Sequence, residues 1–215
     1  MQTELVLWQG MPASAPLSPI AGAILAGGLS RRMGGGDKGL ALLQGQPLIG
    51  HVVAALRPQV SRLVLNANGD PGRFERFGLP VIADSLPGFP GPLAGVLAAL
   101  EHFQGEGVSH VMVAPCDAPC LPADLVARLA AARQAAGAAG ALAVSGGRRH
   151  PAVALWPVSL APALRTALVE EDQRRVDAFL TRHGFVEVEW PVEPFDPFVN
   201  VNTPEGLAAL GQMPG

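Results

Sequence analysis

The apolar positions of this chain alternate between two periods. Residues 20–26 form a continuous run of small apolar side chains, the pattern of a strand buried on both faces. After a glycine-rich break, Leu48, Ile49, Val52, Val53 and Leu56 recur at helical spacing. Pro47 opens that helix, where its missing N–H is harmless, and Pro58 stops it. Residues 63–65 predict a second strand ending at Asn66, Asp70-Pro71-Gly72 a turn, and residues 81–83 a third strand ending at Asp84. Pro92 opens a helix with Leu93, Val96, Leu97 and Leu100 on one face. Residues 108–114 predict a fourth strand, closed by Cys116-Asp117, and Pro122 opens the next helix with Asp124 in its first turn.

Strand and helix in alternation imply right-handed βαβ units. The expected fold is α/β: a single domain with a mostly parallel, open, twisted sheet and helices on both faces. The second half is less regular. Residues 141–144 and 152–156 read as strands with Gly146 to Pro151 as the loop between them. Residues 160–169 and 174–181 read as helices, 186–190 as a strand, and Thr203 caps a last helix begun by Pro204. Residues 1–19 are a Pro-rich lead-in, and 20–215 make up the domain. In an open parallel sheet, ligands sit beyond the C-terminal strand ends. The glycine-rich break, Asn66, Asp84 and Asp117 are all expected there.

Composition narrows the class. A chain of 215 residues with 49% apolar residues has enough material for a real core in one domain. A net charge of −3 excludes a general nucleic-acid binder, which carries a basic excess. No apolar run has the length of a membrane helix. The first twenty residues lack Lys and Arg, which makes a poor secretory signal. A cytoplasmic enzyme or binding domain is expected. Cys116 and Cys120 are spaced as neither a redox pair nor half a zinc site, and read as apolar loop thiols or a disulfide.

The break at Gly27-Gly28 carries the most chemistry. It runs through Leu29-Ser30-Arg31-Arg32-Met33-Gly34-Gly35-Gly36-Asp37 to Lys38. Glycines let backbone N–H groups approach a ligand, and Arg31, Arg32 and Lys38 supply positive charge, which together suit a triphosphate. A Walker A loop is excluded, because Lys38 is followed by Gly39 and not by Ser or Thr. Asp117, a lone carboxylate after an apolar strand, reads as a Mg²⁺ ligand or as an Asx-turn residue. Asp84 reads as an acceptor for a base edge or ribose, or as a solvated loop acid; Asn66 reads likewise, or as a loop tie. Asn200 and Asn202 share a face if their segment is extended, although Asn202-Thr203-Pro204 is also a good cap. His51, His102, His110 and His183 have no partner at ligand spacing and read as structural. No nucleophile constellation is present.

Several strings together resemble one family. Leu25-Ala26-Gly27-Gly28 with Ser30, Arg32-Met33-Gly34 and Asp37-Lys38 is similar to the signature loop of molybdenum cofactor guanylyltransferases. Asn66-Ala67-Asn68, Asp84-Ser85, Gly91-Pro92-Leu93-Ala94-Gly95, Pro115-Cys116-Asp117 and Phe198-Val199-Asn200-Val201-Asn202-Thr203-Pro204 follow in the family's order. The resemblance spans residues 20 to 210. It implies a Rossmann-like nucleotidyltransferase fold and transfer of GMP from GTP to molybdenum-molybdopterin with Mg²⁺. Arg32, Lys38 and Asp117 are then catalytic, with Asp117 the metal ligand. Leu25, Ala26, Gly27, Gly28, Asn66, Asp84 and Gly91 join Lys38 and Asp117 around the nucleotide, in a nucleotide-binding half at 20–135. Arg148, His150, Asn200 and Asn202 fall on the side of the pterin substrate, in a half at 136–215. A molybdenum-insertion protein, recipient molybdoenzymes or their chaperones, and a monomeric state are implied in the same way. A cytidylyltransferase for the same cofactor, a sugar-phosphate nucleotidyltransferase and a non-catalytic nucleotide binder are the rival readings. The first of these tends to carry Ala-Ala-Gly at the loop and to lack Gly-Pro-Leu-Ala-Gly.

Overall fold

The structure is a computed structural model and describes residues 19–27, 37–88, 91–201 and 203–211. Its strands are β1 (Ile20–Leu25), β2 (Leu42–Leu43), β3 (Gln46–Pro47), β4 (Leu63–Asn66), β5 (Val81–Ile82), β6 (His110–Pro115), β7 (Ala141–Ser145), β8 (Arg148–Pro157) and β9 (Val186–Trp190). Its helices are α1 (Leu48–Leu56), α2 (Pro92–His102), α3 (Leu125–Ala136), α4 (Ala161–Val169), α5 (Val176–Arg182) and α6 (Pro204–Gly211). Seven strands form one sheet in the order β5-β4-β1-β6-β8-β7-β9. All run parallel except β8, which is antiparallel to both of its neighbours.

The small apolar strands are buried on both faces because helices cover both. Ala21, Ala23 and Leu25 of β1 face a cluster built with Leu93, Leu97 and Leu100 of α2, Leu164 of α4 and Phe179 of α5. Ile24 faces the other way, toward Ile49, Val52 and Leu56 of α1 and Leu125 and Leu129 of α3. Trp156 is fully buried, with its ring 5.7 Å from Phe179 and 5.1 Å from Phe185. Each such side chain contributes about 1.5–3 kcal/mol through the surface it removes from water.

The second half departs from the expected pattern in ways that matter for the site. Gly146 to Pro151 is not a loop. Only Gly146 and Gly147 turn, both left-handed at φ 54 and 73, and Ser145 pairs directly with Arg148. Two successive positive φ values suit a tight two-residue hairpin, so the strand resumes at Arg148. Because β8 runs against the other strands, its first residues lie at the edge where the parallel strands end. Helix α5 starts at Val176, two residues later than expected. Asp124 is the residue before α3, with φ −104 and no capping hydrogen bond, instead of lying in the first turn. The β2–β3 hairpin, turned at Gln44 (φ 50) and Gly45 (φ 80), has no counterpart in the apolar pattern, which is too short there to read.

Candidate active site

Two backbone ladders bring the expected residues to one edge. Ala26 N–H donates to Asn66 O at 2.8 Å, and Cys116 N–H donates to Leu25 O at 3.0 Å. The segments following β1, β4 and β6 therefore leave the sheet side by side. Lys38 begins a short 3-10 turn (Lys38–Leu40) that folds onto the end of β6. Gly39 makes this approach possible: a Cβ there would lie 3.1 Å from Cys116 Sγ and 3.2 Å from its Cβ. Lys38 Nζ consequently reaches Asp117 Oδ2 and donates to it across 79 residues of sequence. The pair is mostly enclosed, with side-chain exposures of 18% and 12%.

Asp117 is held on its other side as well. Its backbone carbonyl accepts from Val201 N–H at 2.9 Å, which draws the segment before α6 across the site. Its Oδ1 is buried and has no hydrogen-bond partner among the described residues. The neighbouring Cys116 is buried and reduced; burial, with the Asp117 charge beside it, pushes its thiol up to about 12 against a smaller opposing pull from Lys38. It is a protonated packing residue. Cys120 is also free, which removes the disulfide, and burial raises its thiol too.

Asn66 and Asp84 form the second part of the site. Asn66 is 3% exposed, and its Nδ2 donates to Asp84 Oδ1 at 2.9 Å. Asn68 clasps the same carboxylate: its Nδ2 donates to Asp84 Oδ2 at 2.8 Å, and its Oδ1 accepts from Asp84 N–H at 2.9 Å. Asp84 is thus a fixed acceptor and not a solvated loop acid. Arg73 donates to Asn68 O and pairs with Asp37 Oδ2 at 3.0 Å, so the same chain of contacts ends one residue before Lys38. Nothing in the local sequence marks Arg73, because it sits in a short 3-10 turn (Pro71–Phe77) with no apolar period. Gly91 has φ 127 and ψ 168, a backbone conformation suited to glycine, and leads directly into α2.

The third part lies on β7 and β8. His150 is buried at 8% exposure, with Nε2 2.6 Å from Ser145 Oγ. Ser145 Oγ–H donates to Asp196 Oδ1 at 2.8 Å, and Phe198 N–H donates to the same oxygen at 2.9 Å. Burial lowers the His150 imidazole from its ordinary value; Asp196 and Glu189 oppose this and Arg148 adds to it. Arg148 and Asn200 are exposed at this edge. Arg149 turns to Asp177 and Glu187 instead. No local sequence pattern marks Ser145 or Asp196, which join the site only through the fold. Gly28, Arg32 and Asn202 lie outside the described residues. His51 bonds Leu43 O and His183 stacks on Phe179, as structural residues.

Among the described residues no three His, Cys, Asp or Glu side chains gather into a metal cluster. One carboxylate with a buried, unpartnered oxygen fits an ion such as Mg²⁺, which takes one or two protein carboxylates and completes its shell with phosphate oxygens and water. No helix among the described residues is long and apolar enough to cross a membrane.

Residues 22–186 match the family described as MobA-like NTP transferase domain. A protein of Rhodopseudomonas palustris (strain BisB5) named molybdenum cofactor guanylyltransferase is 52% identical over 198 residues, covering 91% of this chain and 93% of that protein. A protein of the same name from Bradyrhizobium sp. (strain ORS 278) is 50% identical over 202 residues, with 93% and 95% covered. The crystal structure of molybdopterin-guanine dinucleotide biosynthesis protein A from Archaeoglobus fulgidus shares the fold at a TM-score of 0.70 and 28% identity, covering 89% of this chain and 97% of that one.

Proposed function

This chain belongs to the MobA-like NTP transferase family, and on that premise we propose that it transfers GMP from GTP to molybdenum-molybdopterin. The products are the guanine dinucleotide form of the cofactor and pyrophosphate. Half-identity to named guanylyltransferases over nine-tenths of the chain supports guanine over the cytidylyl alternative. The observation that carries the chemistry is the Lys38–Asp117 pair at the C-terminal sheet edge, with Asp117 Oδ1 left unpartnered.

An oxygen of the molybdopterin phosphate attacks the α-phosphorus of GTP, and the bond from that phosphorus to the bridging oxygen breaks as pyrophosphate departs. No protein base is needed, because a phosphate monoester is already mostly ionised at neutral pH. The work of the protein is positioning and charge compensation. Lys38, with Arg32 of the signature loop, compensates phosphate charge. Asp117 would hold Mg²⁺, which supplies electrostatic stabilisation of the phosphate oxygens as the bond to pyrophosphate breaks. Leu25, Ala26, Gly27, Gly28 and Gly91 offer backbone to the nucleotide, while Asn66 and the clasped Asp84 orient it. Residues 20–135 form the nucleotide half and 136–215 the half for the second substrate, where Arg148, His150, Asn200 and Asn202 contact it. The enzyme is a cytoplasmic monomer on this view. It passes its product to recipient molybdoenzymes or their chaperones and receives substrate from a molybdenum-insertion protein.

Calorimetry of GTP, CTP and ATP with Mg²⁺, on the wild-type chain and on Lys38→Ala, tests this. GTP preference that is lost in the variant is expected. CTP preference transfers the assignment to cytidylyl transfer. Failure to bind any nucleotide, with the pterin substrate present or absent, overturns nucleotidyl transfer altogether.

A further inference from the structure

The contacts of His150 are those of a positioned group and not of a chance buried histidine. Ser145 has one hydroxyl hydrogen. Asp196 Oδ1 takes it at 2.8 Å, and this carboxylate oxygen has no hydrogen of its own to offer when ionised. The 2.6 Å contact between Ser145 Oγ and His150 Nε2 must then be supplied with hydrogen by the imidazole. Neutral His150 therefore carries its proton on Nε2, and Nδ1 is a bare acceptor. No described residue bonds Nδ1, and it is not among the enclosed unpartnered atoms.

The supports of this arrangement come from four places. Ser145 is 2% exposed and ends β7; His150 is on β8; Asp196 precedes the segment that crosses the site; Phe198 ties that segment down through its N–H and packs its ring 5.0 Å from the imidazole. Trp190 of β9 closes over Phe198 at 5.3 Å. The charged groups facing the imidazole are Asp196, Arg148 and Glu189. Three residues past Phe198, Val201 holds the carbonyl of Asp117. The segment thus joins the His150 network to the carboxylate proposed for the cation.

We infer that Ser145 and Asp196 are positioning residues for the second substrate, holding His150 as its Nε2–H tautomer so that Nδ1 accepts a hydrogen bond from a ring N–H or amino group of the pterin. This rests on the guanylyltransferase reading for the identity of that substrate. The tautomer itself follows from the hydrogen-bond directions alone.

The test uses the full chain labelled with ¹⁵N, and long-range ¹⁵N–¹H correlation at mildly alkaline pH. The His150 ring is assigned by its disappearance in His150→Gln. The expected wild-type signal has hydrogen on Nε2 and a bare Nδ1. Ser145→Ala should mix the tautomers and raise KM for molybdenum-molybdopterin about tenfold, the size of one lost hydrogen bond. KM for GTP should stay unchanged, because the Phe198–Asp196 bond survives. Ser145→Thr, which keeps the hydroxyl, should restore both readouts. Asp196→Ala frees the serine proton for Nε2 and should shift the ring toward Nδ1–H; if Ser145→Ala does not fold, this shift and KM for molybdenum-molybdopterin are the two readouts, and KM for GTP is left aside because the variant also loses the Phe198 N–H bond. A wild-type ring protonated on Nδ1 overturns the inference, as does a variant in which only one of the two readouts moves. Absence of GMP transfer by the wild type defeats the functional reading instead, and the tautomer then decides the inference by itself.

Discussion

At the scale of single residues the site depends on pairs that are distant in sequence. Asp117→Asn keeps the side-chain size and removes the charge that faces Lys38. GMP transfer is expected to fall by on the order of 10²–10³, as when one preorganised electrostatic contact to a transition state is removed. Unchanged circular dichroism beside the lost turnover checks that the defect is chemical. Gly95 reports on Asn66 in the same way. A Cβ at Gly95 would lie 2.2 Å from Asn66 Oδ1 and 3.0 Å from Leu25 Cδ2. Gly95→Ala should push Asn66 off Asp84, raising KM for GTP by about tenfold and lowering stability by about 1–3 kcal/mol. Steady-state kinetics with GTP varied, alongside urea unfolding, would read both. The types at these positions were legible beforehand: a carboxylate after a strand, an amide at a strand end, a glycine near a helix start. Which side chain pairs with which was not, because pairs 18 and 79 residues apart meet only when the sheet forms.

Elements position those residues, and their boundaries decide what the residues do. The Gly-Gly turn at 146–147 is so short that Arg148 and His150 sit in a strand and not in the expected loop, and His150 is buried there. At the other end of β7, Gly140 passes close to Leu155 O and Phe185. A Cβ there would meet them at 2.5 and 2.3 Å, so Gly140→Ala should cost about 1–3 kcal/mol, seen as a lower urea midpoint at unchanged slope. The 3-10 turn carrying Arg73 links the clasped Asp84 carboxylate, through Asn68, to the residue before Lys38. A double-mutant cycle of Arg73→Met with Asp37→Asn should give a coupling of at most about 1 kcal/mol, since the pair is partly exposed. A coupling of zero in unfolding would leave that contact without energetic weight. Helix starts at Pro92 and Pro204 were legible because proline marks a first turn; the start of α5 was not, since Arg174-Arg175 carries no such mark.

For the whole molecule, the titrating groups set a pH window of stability. Burial lowers His110, His150 and His183 below the ordinary 6.5. Below 6.5 the unfolded chain takes up protons that the folded chain refuses, so stability falls as pH drops toward the folded values. Cys116 works at the other end: the folded thiol keeps its proton from its ordinary 9.0 up to about 12, while the unfolded chain has released it, so stability falls across that range. Urea midpoints measured against pH should therefore form a plateau between the two limits, and Cys116→Ala should flatten the alkaline side. The chain alone determined the class of fold, the parallel first half and the residue types that gather at the C-terminal edge of the sheet. Those follow from local period, proline placement and a contiguous loop, all of which are properties of neighbours in sequence. Only the tertiary structure decided that β8 runs backwards, that Lys38 meets Asp117, that Arg73 braces Asp37, and that Ser145 and Asp196 hold His150. Each of these is a meeting of segments far apart along the chain, settled by strand order and the burial it allows, and no local pattern carries that information.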